Sequence, residues 1–176
     1  MTRLKRILLI AALPVAAILL AASILLLHPY RASASSLVPF KAIANETYTA
    51  GKCGPTSVCI NAVGTGQGTQ LGELTEYASV VVDINPADQH NGCAPETRAT
   101  VLVAANGDTL TMSATGYTRC PGSNVATDSY IVTGGTGRFQ GASGSGTDSN
   151  THNPTGPSGG TAVTTFSGNL SSVGSN

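Results

Sequence analysis

From residue 40 to residue 170 the chain repeats one pattern, in which a short stretch rich in Thr, Val and Tyr is followed by a cluster of Gly, Asn, Asp or Pro. This alternation is typical of antiparallel β-proteins, because β-branched and aromatic residues favour strands while the cluster residues favour turns. It predicts eight strands: Phe40–Ala50, Thr56–Ala62, Leu71–Ile84, Thr97–Ala105, Asp108–Tyr117, Ala126–Thr133, Gly137–Thr147 and Thr161–Leu170.

The number of strands and the shortness of their connections indicate whether the sheet closes into a barrel. Eight strands joined by short turns can close on themselves, and closure removes the sheet edges that would otherwise promote aggregation. We therefore predict an all-β domain that forms an eight-stranded antiparallel up-and-down β-barrel. A two-sheet sandwich is the alternative.

The first 34 residues have a different composition. Arg3, Lys5 and Arg6 precede an apolar run over residues 7–27, and a small-residue stretch ends at Ala34. This arrangement predicts a signal peptide over residues 1–34, cleaved after Ala34, and a single domain over residues 35–176. The apolar run is also long enough to span a bilayer, so a retained membrane anchor is the alternative. In either case we expect the domain to be secreted or otherwise extracytoplasmic.

The charge balance of residues 35–176 limits the class of partner. Without the four basic residues of the leader, five basic residues stand against nine acidic ones. Nucleic acid binding requires clustered Lys and Arg, so a nucleic acid partner is not expected. Contact with a membrane is expected only through an uncleaved leader.

Asn106 and Gly107 predict the register of one hairpin, because an Asn-Gly pair favours a two-residue type I′ turn. With that turn, opposite residues have numbers that add up to 213. The resulting apolar pairs are Val103 with Leu110, Val101 with Met112, and Ala99 with Ala114. The other face would then hold Arg98, Thr100, Thr111 and Ser113.

The same register places Cys93 opposite Cys120 and predicts a disulfide between them. Cys53 and Cys59 flank the turn between the first two strands, so a second disulfide is expected there. An oxidising compartment favours both bonds over free thiols. No metal site is predicted, because the C-x5-C spacing and the two histidines outside the leader do not form a usual ligand pattern.

Three segments resemble small bacterial proteins with an allene oxide cyclase-like barrel, a fold shared with plant dirigent proteins. They are GTGQGTQLGELTEYASVVVDI from Gly64, AANGDTLTMSATG from Ala104 and YIVTGGTGRFQGASGSGT from Tyr130. The resemblance implies a calycin-type barrel with a lumen. It also implies cofactor-free chemistry, because the plant relatives cyclise an epoxide or orient radical coupling in a hydrophobic pocket. No residue of this chain matches the plant catalytic positions one by one.

Three residues are candidates for polar groups in the lumen. Glu76 interrupts an apolar face that includes Leu74 and Ala78, so it would project into the lumen or lie beyond the barrel rim. With a turn centred on Gly134 and Gly135, Tyr130 would face Phe139, and Asp128 would face Gly141 on the same side of the sheet. A carboxyl group in an apolar lumen would have a raised pKa and could act as an acid, a base or a ligand anchor.

The glycine-rich segment around Gly134, Gly135 and Gly137 is not expected to bind phosphate, because no helix follows it. We expect these glycines to provide positive φ angles, to let the barrel wall bend and to keep the lumen open. Ser158 matches a nucleophile-elbow pattern, but it lies in a loop of Pro and Gly, so it is interpreted as a loop residue.

Three functional hypotheses follow. The first is an exported barrel that binds a small apolar molecule in its lumen. The second is a cofactor-free isomerase or cyclase that uses Glu76 or Asp128. The third is a structural or surface-interaction protein whose barrel is filled with side chains. No cofactor is expected in any of the three.

Overall fold

The computed structural model describes residues 36–171, which form a closed barrel of eight antiparallel strands in chain order. The strands are β1 (Leu37–Lys52), β2 (Ser57–Gly68), β3 (Gly72–Asp83), β4 (Ala94–Ala104), β5 (Thr109–Thr118), β6 (Val125–Gly135), β7 (Gly144–Gly156) and β8 (Gly159–Ser171). Pairing of β1 with β8 closes the barrel. The prediction of an eight-stranded antiparallel up-and-down barrel is confirmed.

The predicted signal peptide or anchor over residues 1–34 lies outside the described residues. Within residues 36–171, no helix has the length and apolar character needed to cross a membrane.

The two ends of the barrel differ in packing. One end, which we call the closed end, contains a large apolar cluster that includes Phe40, Leu102, Tyr130, Phe166 and Leu170. The other end, which we call the mouth, has a smaller cluster: Val58, Ile60, Val80, Val82 and Ala94. Each strand alternates buried and exposed residues, as expected for a barrel with a filled interior and a solvated exterior.

A short 3-10 turn over Gly137–Phe139 seals the closed end. Phe139 is fully buried in the apolar cluster there. The predicted seventh strand from Gly137 is therefore wrong at its start, since β7 begins at Gly144. The predicted positive φ is found at Gly134 and Gly137, but the segment fills the lumen with Phe139 instead of keeping it open.

The register predicted for the β4–β5 hairpin is wrong by one residue. The turn has three residues between Ala104 and Asp108, and Gly107 adopts a φ of 87°. A three-residue turn that ends in a left-handed glycine is a common alternative to the two-residue turn. Because side chains alternate along a strand, this one residue turns β4 over. Arg98 and Thr100 therefore point into the barrel, and Leu102, not Val103, lies opposite Leu110.

Both predicted disulfides are present. Cys53 and Cys59 are bonded across the β1–β2 turn, with Cα atoms 5.6 Å apart. Cys93 is bonded to Cys120, although the β4–β5 ladder ends at Ala94 and Thr118. One additional residue in a left-handed conformation, Arg119 with a φ of 52°, brings Cys120 back opposite Cys93. Both bonds lie at the mouth.

The hydroxyl group of Tyr130 lies between two glycines on neighbouring strands, Gly146 of β7 and Gly168 of β8. A Cβ atom at Gly146 would lie 2.6 Å from the Tyr130 hydroxyl oxygen, and one at Gly168 would lie 2.5 Å from it. The absence of side chains at Gly146 and Gly168 makes room for the buried ring of Tyr130.

We predict that Gly168→Ala lowers the free energy of unfolding by about 1–3 kcal/mol, since the added methyl group overpacks the interior against Tyr130 and the backbone of Ser145. Gly156→Ala is the matched control, because a Cβ atom there would meet nothing within 4 Å. Urea denaturation followed by circular dichroism measures both variants. Equal stabilities of the two variants would show that Gly168 is not needed for packing.

Candidate functional site: a polar belt beneath the mouth

Polar side chains form a layer across the barrel interior between the two apolar clusters. We call this layer the polar belt, and its buried members are Glu46, Glu76, Glu96, Arg98, Thr100, Thr118, Asp128, Asp148, Asn150 and Thr164. Five of the nine acidic residues in the sequence lie in it, against one arginine. Buried charges are costly unless they are paired, so this excess of carboxyl groups determines the chemistry of the interior.

Arg98 is at the centre of one half of the belt. Its Nη2 atom donates to Oε1 of Glu46 at 2.8 Å and to Oε1 of Glu76 at 2.6 Å. Its Nε atom donates to the Thr100 hydroxyl at 3.1 Å. The Thr164 hydroxyl also donates to Oε1 of Glu46, at 2.5 Å. One guanidinium group thus links β1, β3, β4 and β8 through the interior of the barrel.

The two glutamates bound by Arg98 differ in their protonation. Burial alone would raise the pKa of Glu46, but the charge of Arg98 and the hydrogen bond from Thr164 lower it below the usual value. Glu76 is fully buried, and its burial together with the neighbouring Glu46 raises its pKa to about 8 despite the charge of Arg98. Glu46 is therefore the ionised partner of Arg98 at neutral pH, while Glu76 retains a proton.

The other half of the belt is a cluster of three carboxyl groups, Glu96, Asp128 and Asp148, which we call the acid triad. Asp128 lies directly opposite Asp148 in the β6–β7 ladder. Both oxygen atoms of Asp128 and one of Asp148 are buried without a hydrogen-bond donor among the described side chains. Carboxylates accept hydrogen bonds only, so two ionised aspartates facing each other cannot bond one another, whereas a protonated aspartate can donate to its neighbour.

Burial raises the pKa of both aspartates to about 7. The charge of Glu96 contributes further to the shift of Asp128, and that of Asp128 to the shift of Asp148. Burial also raises the pKa of Glu96. The acid triad therefore holds protons near neutral pH, where exposed carboxyl groups have lost theirs.

A glycine lies between two acidic residues in two neighbouring ladders. Gly116 pairs with Glu96 on one side and with Asp128 on the other. Gly64 occupies the same position between Glu46 and Glu76. A Cβ atom at Gly64 would lie 2.8 Å from Cγ of Glu46, and one at Gly116 would collide with Oδ1 of Asp128. The absence of a side chain at each glycine thus leaves space for the two acidic side chains on either side of it.

Above the belt, the mouth contains a cavity of about 380 Å³, which we call the mouth pocket. Apolar and aromatic groups form much of its wall, including Tyr48, Ala50, Ile60, Pro154 and Pro157. Polar groups contribute the remainder: Thr118, Arg119, Ser123, Asn124 and His152. The volume lies in the lower part of the range of small-molecule sites, and the lining combines apolar surface with a few polar groups, as such sites do.

The structure places the three predicted lumen residues in different parts of the barrel interior: Glu76 beside Arg98, Asp128 in the acid triad and Tyr130 in the apolar cluster of the closed end. Glu76, Asp128 and Tyr130 are all buried in the interior, which settles the alternative of a Glu76 beyond the rim. The predicted pairs of Tyr130 with Phe139 and of Asp128 with Gly141 are wrong, because Tyr130 lies opposite Gly146 and Asp128 opposite Asp148. None of these three residues lines the mouth pocket.

Four charged residues of the belt were not predicted from the sequence as lumen residues: Glu46, Glu96, Arg98 and Asp148. Arg98 was assigned to the exterior by the incorrect hairpin register, and Glu96 lies on the same face of β4. Among residues 36–171, no group of three or more His, Cys, Asp or Glu side chains is arranged to hold a metal ion.

No protein-family model matches this chain. No curated protein is significantly similar to it.

Proposed function

We propose that this protein is an exported barrel of the allene oxide cyclase-like type that binds a small apolar molecule in its mouth pocket. The observation that carries the proposal is the cavity of about 380 Å³ bounded by Tyr48, Ala50, Ile60 and two prolines. The leader composition and the two disulfides support export, since disulfides persist in oxidising compartments. The three segments of family resemblance support the barrel type.

Side chains fill most of the barrel interior, and this supports the mouth as the binding site instead of the whole lumen. Phe139, Phe166 and Leu170 occupy the closed end, and the polar belt fills the middle. Within the barrel interior formed by residues 36–171, a ligand therefore has space above the belt. This arrangement combines features of two hypotheses, because the lower barrel is packed with side chains while the upper barrel retains a cavity.

The isomerase or cyclase hypothesis finds less support. Glu76 and Asp128 retain protons that an acid catalyst could use, but neither lines the mouth pocket. A catalytic group must come within hydrogen-bond reach of its substrate. We therefore favour binding over catalysis.

We expect Ala50→Trp to fill the mouth pocket and to weaken binding of a neutral apolar probe, N-phenyl-1-naphthylamine, by roughly tenfold or more, which corresponds to about 1.4 kcal/mol. Ala50 is half-buried in the pocket wall, so the larger side chain can extend into the cavity. Fluorescence titration of the purified full chain measures the dissociation constant.

Ala99→Trp is the matched control, because Ala99 is exposed on the outer face of β4. It should bind the probe as the wild type does. Probe binding by any other part of the chain is common to all variants and does not affect the comparison. Equal binding by all three proteins, or no binding by the wild type, would contradict the proposed function.

A further inference from the structure

The mouth pocket has an uneven distribution of charge. Among the described residues that line it, Arg119 carries the one permanent charge, and no acidic side chain lines the cavity. The ion pairs of the described residues involve Arg98 and Arg138, so Arg119 has no carboxylate partner among them. Arg119 is an exposed residue of the cavity lining, and without a carboxylate partner among the described residues its guanidinium group is available to a ligand.

The segment that carries Arg119 is held at both ends. Cys120 follows it directly and is bonded to Cys93. At the other end of the segment, the side chain of Asn124 donates to the carbonyl oxygen of His152 at 2.8 Å, and the backbone N–H of His152 donates to the carbonyl oxygen of Asn124 at 2.9 Å. Between them, the N–H of Ser123 donates to the carbonyl oxygen of Cys120 at 3.0 Å. Such constraints fix the backbone from which the Arg119 side chain extends before the ligand arrives.

Arg119 also has a left-handed backbone conformation, with a φ of 52°. This conformation is uncommon for a residue other than glycine, and unfavourable backbone conformations occur preferentially at binding sites. Here it turns the chain from β5 into the loop that forms one wall of the pocket.

His152 lies within the electrostatic reach of Arg119. Its ring makes an edge-on contact with Tyr48, with ring centroids 5.5 Å apart, and both residues line the pocket. Burial lowers the pKa of His152, and the charges of Arg98 and Arg119 lower it further, against the opposing effect of Glu46. The ring is therefore neutral at neutral pH and leaves Arg119 as the charge that a ligand meets.

We infer that the ligand of the mouth pocket is a compact apolar molecule with one negative charge, which Arg119 binds at the edge of the cavity while the apolar body lies against Tyr48, Ile60 and Pro157. This inference rests on the proposed function and specifies the chemical class of its ligand. A charge-assisted hydrogen bond from a guanidinium group is about twice as strong as a neutral one. The single cation thus selects among apolar molecules of equal size.

Two fluorescent probes with the same ring system test the inference. 1-Anilinonaphthalene-8-sulfonate carries one negative charge, and N-phenyl-1-naphthylamine carries none. We expect Arg119→Met, which keeps an unbranched side chain and removes the charge, to weaken binding of the anionic probe about tenfold and to leave binding of the neutral probe unchanged. Arg138→Met, at the closed end and outside the pocket, should change neither.

A second readout follows from the neighbouring histidine. Saturation with the anionic probe should raise the pKa of His152, measured by NMR titration of its ring protons, because the bound anion offsets the positive charge of Arg119. His90, whose ring lies against Tyr117 and does not line the pocket, is the internal reference.

The outcomes separate this inference from the proposed function. If Arg119→Met weakens binding of both probes equally or of neither probe, and the pKa of His152 does not change when the anionic probe binds, the inferred anionic ligand class is wrong. If Ala50→Trp still weakens binding of the neutral probe, the proposed binding of an apolar molecule in the mouth pocket is retained. If Ala50→Trp affects neither probe, both proposals fail.

Discussion

Replacing Arg98 with methionine should lower the free energy of unfolding at neutral pH by about 3–5 kcal/mol, which is the usual cost of removing one partner from a buried ion pair. Arg98 is buried, and its Nη2 atom bonds both Glu46 and Glu76. Methionine fills part of the same space but leaves the ionised Glu46 without a counterion. The sequence contains no tryptophan, so circular dichroism is the suitable probe for urea denaturation.

The control for this variant is Arg138→Met. Arg138 is partly exposed and lies 3.7 Å from Asp108, a surface pair of the kind that contributes about 0–1 kcal/mol. If Arg98→Met does not fold at neutral pH, the same measurement at pH 4 decides the question, since protonation of Glu46 removes the unpaired charge and should restore the fold. Equal losses for the two variants would show that the Arg98 cluster is not a major source of stability.

We expect the barrel to lose stability as the pH rises from about 4 to about 8, by several kcal/mol in total, because the folded protein retains protons that the unfolded chain has released. Three carboxyl groups dominate this dependence. Burial raises the pKa of Asp128 and Asp148 from 3.8 to about 7 and that of Glu76 from 4.5 to about 8. Urea denaturation at a series of pH values measures the effect.

The direction follows from the protons bound in each state. Between the unfolded and folded pKa values the folded protein retains protons that the unfolded chain has released, so a rise in pH favours the unfolded chain. Above about pH 8 the dependence should level off. Glu46 and His152 act in the opposite direction, because their pKa values are lowered on folding. They reduce the slope without reversing it, since three groups with large upward shifts oppose them.

Asp128→Asn tests the origin of this pH dependence. The amide has nearly the same shape as the carboxyl group, does not titrate, and can donate a hydrogen bond to the neighbouring acids. We expect a shallower fall in stability with pH, and at pH 8 a protein about 1–2 kcal/mol more stable than the wild type, because one costly buried ionisation is removed. Glu73→Gln, on the exposed surface, should leave the profile unchanged. Stability that rises with pH in the wild type would contradict our description of the belt.

The fold was predictable because its determinants are local. Short stretches of Thr, Val and Tyr form the strands, and the turn residues between them bring neighbours together in chain order. The Cys53–Cys59 bond was predictable from the turn that it closes. The Cys93–Cys120 bond was predicted from a register one residue out, and it forms because the left-handed Arg119 restores the offset beyond the ladder.

The interior was less predictable, because a turn of three residues instead of two exchanges the faces of a strand. Because of that difference Arg98 and Glu96 were assigned to the wrong face, and Asp148 was missed because the predicted seventh strand ended at Thr147, whereas β7 continues to Gly156. One sequence feature indicated the belt. Gly116 falls within the predicted fifth strand, where glycine marks the close approach of neighbouring groups, whereas Gly64 lies past the predicted end of the second strand at Ala62 and falls within β2 only in the structure. The mouth pocket, by contrast, is formed by loops and strand ends that are distant in sequence, and no local pattern identifies it.

Binding of a small molecule in the mouth pocket is the central claim, and native mass spectrometry of the full chain purified from its own host tests it most directly. The wild type should carry a bound small molecule as a noncovalent adduct, and Ala50→Trp purified in the same way should lack it. A wild-type protein without any adduct, or the same adduct on both proteins, would contradict the proposal and favour a barrel that acts through its outer surface.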